Sequence, residues 1–196
     1  MSPSEYNNLA EQLIGETLAS INCFQLDSPN SENYWNTCSE FHTLDFGLDL
    51  IFESGKVYSL AWGDHFYQFD LQIKPFSISN EIAAFKKIDL TTNKNWSIYI
   101  GKCINDARPI WSNITKSYGA NKSHGILGLK QKFVNTHPDR TISFPETIVI
   151  NFNNQKSLYI SAVEIQDKKA NLHADSITVF FKEDVASQYI DIIGNN

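Results

Sequence analysis

The sequence predicts an α+β fold made mainly of antiparallel sheet, with a helix at each end. Three observations carry that expectation. Leu44, Phe46, Leu48, Leu50 and Phe52 are apolar at every second position, which is the period of a strand. The same alternation returns at Ile148, Ile150 and Phe152. Near the N-terminus the apolar spacing is instead helical, through Leu9, Leu13, Thr17 and Ile21, with Ala10, Ile14 and Leu18 widening the stripe.

Taken in order, Ser2-Pro3-Ser4-Glu5 reads as a capping box with proline at the first helical position. A helix over residues 3–21 follows from it. The stretch "LDSPNSENYWNTCSE" is polar and turn-rich, hence a loop. A strand then runs from Thr43 to Glu53, Ser54-Gly55 supplies a hairpin turn, and "KVYSLAW" returns as the second strand. After "GD", Tyr67, Phe69, Leu71 and Ile73 alternate as a third strand of a meander. "NEIAAFKKI" is expected as a short helix and "WSIYIG" as a strand.

The second half repeats this layout. Ile148 to Phe152 lead into the turn "NNQK", "SLYISAVEI" returns, "SITVFFK" follows, and "EDVASQYIDII" closes as a helix. Phe152 and Lys156 repeat Phe52 and Lys56, while Tyr159 and Ala162 match Tyr58 and Ala61 after a one-residue slip. The chain is therefore read as one globular unit, 1–196, with a duplicated α+β unit (1–101 and 102–196) weighed against the convergence of any two hairpins on the same pattern.

At 196 residues the chain is long enough to bury about 70% of its unfolded surface without disulfide support. Cys23, Cys38 and Cys103 show no CxxC spacing, so neither a disulfide framework nor a zinc cluster is indicated. The N-terminus lacks a basic, then apolar signal segment, and the expected location is cytoplasmic. Net charge is -6, unevenly spread: residues 1–55 hold nine carboxylates and no Lys or Arg, whereas residues 102–140 hold seven Lys or Arg against Asp106 and Asp139. That layout suits steering of a charged partner. A pI near 5.3 disfavours nucleic acid.

No catalytic residue, metal ligand set or cofactor site is assigned from the sequence. Asp45 and Asp49 sit four residues apart on one strand, about 13 Å, too far for an acid and base pair at about 5–9.5 Å. His42, Asp45, Asp64 and His65 form the densest set of metal-ligand types, without HExxH or an EF-hand pattern. "SYGANKSHGILGLKQK" matches no phosphate-binding loop. Cys103, Asp106 and His124 are the residue types of a thiol triad, but "IGKCIND" gives no nucleophile context. What alternation does single out is a carboxylate face: Asp45, Asp49 and Glu53 point away from the apolar side chains and are expected to be exposed. Asp49 and Glu53 correspond to Val149 and Asn153 in the second half. Tyr34 and Trp35 add an aromatic loop.

The patterns "LDLIFESGKVYSLAW", "IYIGKCINDARPIW" and "IVINFNNQKSLYISAVEI" resemble the strand, turn and strand units of small acidic immunity proteins from bacterial polymorphic and contact-dependent toxin systems. The resemblance implies a non-enzymatic protein that neutralises a cognate toxin, such as a basic effector domain, by tight one-to-one occlusion. Asp45, Asp49, Glu53, Tyr34 and Trp35 are then the expected partner-binding residues, with no nucleic acid or membrane involved. The alternative is a small enzyme or ligand-binding protein with a cleft between the halves, using His65, Asp64 or His124.

Overall fold

The computed structural model describes residues 1–26, 38–81, 85–116, 140–172 and 175–192. It is dominated by antiparallel strands in two five-stranded sheets, and the helices are short. In the first sheet, β1 (Leu18–Leu26), β3 (Gly47–Phe52), β4 (Val57–Gly63), β5 (Asp70–Lys74) and β6 (Phe85–Asp89) lie in the order β5-β4-β3-β1-β6. The second sheet orders β2 (Phe41–Leu44), β7 (Ile104–Lys116), β8 (Arg140–Phe152), β9 (Ser157–Ser161) and β12 (Ile177–Phe180) as β2-β12-β9-β8-β7. A separate hairpin pairs β10 (Val163–Gln166) with β11 (Lys169–Leu172).

Helix α1 starts as expected, on a capping box: Ser2 N donates to Glu5 Oε2 at 2.5 Å while Ser2 Oγ accepts from Glu5 N at 3.3 Å. It stops early, spanning Pro3–Glu11 rather than residues 3–21. Gly15 at φ 87° turns the chain, and the apolar residues from Leu18 onward join a sheet instead. Helix α2 covers only Glu183–Ala186 of the C-terminal stretch expected as a helix. Two further expectations exchange places. Ser97–Tyr99 of "WSIYIG" forms a 3-10 turn, and "NEIAAFKKI" contributes β6 after a 3-10 turn at Ile78–Asn80. The strand expected from Thr43 is two strands, since the chain leaves the second sheet after Leu44 and enters the first at Gly47.

The meanders β1-β3-β4-β5 and β7-β8-β9-β12 have the same topology. Their central hairpins share one register, Leu48↔Leu60 in the first and Ile148↔Ile160 in the second, an offset of 100 residues. There is no one-residue slip. Tyr58 is therefore the counterpart of Leu158, and Tyr159 that of Ser59. Both turns close alike, with Phe52 N donating to Lys56 O at 3.0 Å and Phe152 N to Lys156 O at 2.9 Å. Where β1 and β7 begin, the bonds are reciprocal: Gly15 N donates to Ile104 O at 2.9 Å, and Gly101 N to Leu18 O at 2.7 Å. These bonds flank the antiparallel bridge Thr17↔Cys103.

Between the sheets lies the main core, with Ile21, Leu48, Leu50, Leu60 and Leu71 from one side and Ile148, Ile150, Leu158, Ile160 and Val179 from the other. Each sheet is also covered on its outer face. Val149, Tyr159 and Phe180 pack beneath Val185, Ala186 and Ile190, and Phe24 and Ala61 beneath Ile78. Strands buried on both faces lose the clean inside and outside alternation that sequence reading assumes.

Candidate functional site

That double burial reaches the carboxylate face first. Asp49 is only 2% exposed. Its carboxylate accepts from Ser59 Oγ at 2.5 Å, Ser77 Oγ at 2.5 Å and the Ile78 amide at 3.4 Å. The segment after β5 crosses the outer face of the sheet and Asp49 staples it there, so the expectation that Asp49 is exposed for a partner is corrected. Asp45 is half-buried and accepts from Leu26 N at 2.9 Å, while Glu53 is exposed. The three carboxylates do not form one open surface. Tyr34 and Trp35 lie outside the described residues, as do His124 and the stretch "SYGANKSHGILGLKQK".

The imidazole and thiol groups are similarly dispersed. His42 is fully buried, and its Nδ1 accepts from Trp96 Nε1 at 2.8 Å. The other ring nitrogen, Nε2, lies 3.2 Å from Asn95 Nδ2. Burial, reinforced by the nearby Lys94, lowers the His42 pKa from 6.5 to about 4. His65 is exposed and donates from Nε2 to Met1 O at 2.9 Å. Burial raises the Cys23 thiol to about 12, with Asp45 adding to the effect. Cys103 Sγ donates to Ile104 O at 3.7 Å, and the Asp106 carboxylate accepts from Asn151 Nδ2 at 2.9 Å. Among the described residues no three His, Cys, Asp or Glu side chains converge as a metal site would require.

What the structure does assemble is an aromatic surface around the loop Asp64–Phe69. Sequence alternation placed Tyr67 and Phe69 in a strand; pairing begins only at Asp70, opposite Gly63. Asp70 is fully buried, and its carboxylate accepts from the amides of His65 at 3.4 Å, Phe66 at 2.5 Å and Tyr67 at 3.4 Å. Successive amides converging on one carboxylate form a nest. Phe69 completes the turn at φ 60°, a left-handed conformation that costs a bulky residue about 1–3 kcal/mol and that the surrounding bonds must maintain.

The loop holds its rings against neighbours from distant parts of the chain. Phe66 meets Tyr6 of α1 at 5.9 Å and Trp111 of β7 at 5.1 Å, and Tyr6 meets Trp111 at 5.6 Å, all edge to face. Tyr67 lies 5.3 Å from Phe144 of β8, and Phe69 lies 5.5 Å from Trp62. Polar ends are tied down as well. Tyr6 OH donates to Leu71 O at 2.8 Å, Trp111 Nε1 to Asn7 Oδ1 at 3.1 Å and Trp62 Nε1 to Asp45 O at 3.0 Å. Phe66, Tyr67, Phe69, Trp62 and Trp111 remain partly open to solvent, and exposed Asp64 and Glu5 border them. The density of aromatics in "WGDHFYQFD" was visible in the sequence. Its significance was not, because Tyr6 and Trp111 join from 60 residues before Phe66 and 45 after it.

Among the described residues no helix is long and apolar enough to cross a membrane. Compared with family models, curated proteins and solved structures, the chain matches none.

Proposed function

We propose that this is a non-enzymatic binding protein, an immunity protein of the bacterial toxin-neutralising kind, acting in the cytoplasm by occluding a cognate protein toxin. The observation that carries the reading is the aromatic loop. Groups with catalytic potential, Asp70 and His42 above all, are spent on holding structure, and the product of Asp70's bonds is a rigid, partly open set of rings. Rigid aromatic anchors of this sort dominate binding energy at protein interfaces. Asp64 and Glu5 at its border, together with exposed Glu53 and half-buried Asp45, suit a basic effector domain. Tyr34 and Trp35 remain further candidates for the same contact. The equal registers of the two meanders support a duplicated unit, 1–101 and 102–196, although β2 crosses into the second sheet.

The test is association kinetics with the product of the adjacent gene at low and high salt. Tyr67→Ala should raise koff, the mark of a lost anchor. Asp45→Lys with Glu53→Lys should slow kon in a salt-dependent way. Absence of binding by the wild type, or binding that neither set of variants alters, would remove the reading.

A further inference from the structure

The edge strand β6 presents a second surface, independent of the aromatic loop. It pairs on one side only, with β1, in the register Phe24↔Lys87. Leu90 N donates to Ile21 O at 2.9 Å, so that pair is a hydrogen-bonded one. Such pairs alternate along an antiparallel ladder. Lys86 and Ile88 therefore turn their N–H and C=O groups toward β1, and Phe85, Lys87 and Asp89 turn theirs away from the sheet. Among the described residues no hydrogen bond reaches these outward backbone groups.

Side chains add a selection. Lys86 and Lys87 are both exposed, and as strand neighbours they point to opposite faces of the edge. The Asp89 carboxylate already accepts from Thr91 N at 2.8 Å. An arriving strand thus meets an ammonium group on either face.

We propose that β6 is a docking strand for an extended acidic segment of a protein partner, which adds to the sheet through the backbone of Phe85, Lys87 and Asp89 with its carboxylates beside Lys86 and Lys87. Main-chain bonds supply affinity in this mode and flanking side chains supply choice. A second copy of this chain is the poorer occupant. Full antiparallel overlap of two β6 strands sets Lys87 opposite its own copy, and like charges directly opposite are destabilising.

The probes are two seven-residue peptides, one alternating valine with glutamate and one alternating valine with lysine, titrated into the whole protein and followed by backbone amide shifts. The acidic peptide should bind at least about tenfold more tightly, with the Phe85, Lys87 and Asp89 amides moving most. Lys87→Pro removes only an outward donor, as proline on a sheet edge can. It should abolish binding with the thermal melt nearly unchanged. If that variant proves unstable, Lys86→Glu with Lys87→Glu decides instead by reversing the peptide preference. Equal binding of the two peptides, shifts located elsewhere, or sedimentation showing self-association through β6 would overturn the proposal.

Discussion

Lowering the pH from 7.5 to 5.5 should destabilise the protein through His42 alone by about 1 kcal/mol. The ring is buried against Trp96, 5.9 Å between centroids, and Phe181, 4.9 Å, and its pKa is about 4 in the fold against an ordinary 6.5. The folded value is the depressed one. Between these two pH values the unfolded chain binds the proton more readily, so the contribution is full above pH 6.5 and is lost as pH falls toward 4. A gap of about 2.5 pH units corresponds to about 3 kcal/mol in total, of which about 1 kcal/mol appears by pH 5.5, before carboxylates titrate appreciably. Urea unfolding followed by tryptophan fluorescence measures it, because Trp96 donates directly to the imidazole. His42→Gln keeps an acceptor for the indole but cannot titrate. The loss in wild type minus the loss in the variant isolates the effect. Equal losses in both proteins would refute the burial argument.

Three further outcomes follow from the packing. Asp49→Ala should cost about 1–3 kcal/mol, since it removes the carboxylate that accepts from the Ser59 and Ser77 hydroxyls and leaves them only Phe76 O and Ser79 Oγ, and it should free the Ser77 segment to faster amide exchange. Gly47→Ala should lower stability by about 1–3 kcal/mol in denaturant melts, because a Cβ there would lie 2.3 Å from the Leu60 carbonyl oxygen, a backbone atom that cannot swing aside. Lys56→Ala should leave the denaturant midpoint almost unmoved despite a 2.6 Å bridge to Glu16, since the lysine side chain is 56% exposed and its charge is screened by solvent.

The sequence by itself determined the local features. The capping box at Ser2–Glu5 and the turns after Phe52 and Phe152 depend on bonds between residues a few positions apart, so residue types at fixed spacing are enough. The alternation in Leu48–Phe52 and Ile148–Phe152 likewise marked two strands, because the pleat repeats every second residue whatever lies around it. Tertiary structure decided where those elements went and what covered them. Residues 18–21 continue a helical stripe in sequence, yet their backbone groups pair with β3 and with the turn after Tyr99, and that pairing outweighs local propensity. Asp49 alternates away from the core as expected, but the face it enters is roofed by Ser77 and Ile78, arriving from 28 and 29 residues downstream. His42 and Trp96 meet across 54 residues, and Tyr6, Phe66 and Trp111 gather from a helix, a loop and a strand. Alternation says which side of a strand a residue takes. Only the long-range path of the chain determines whether that side is water or protein.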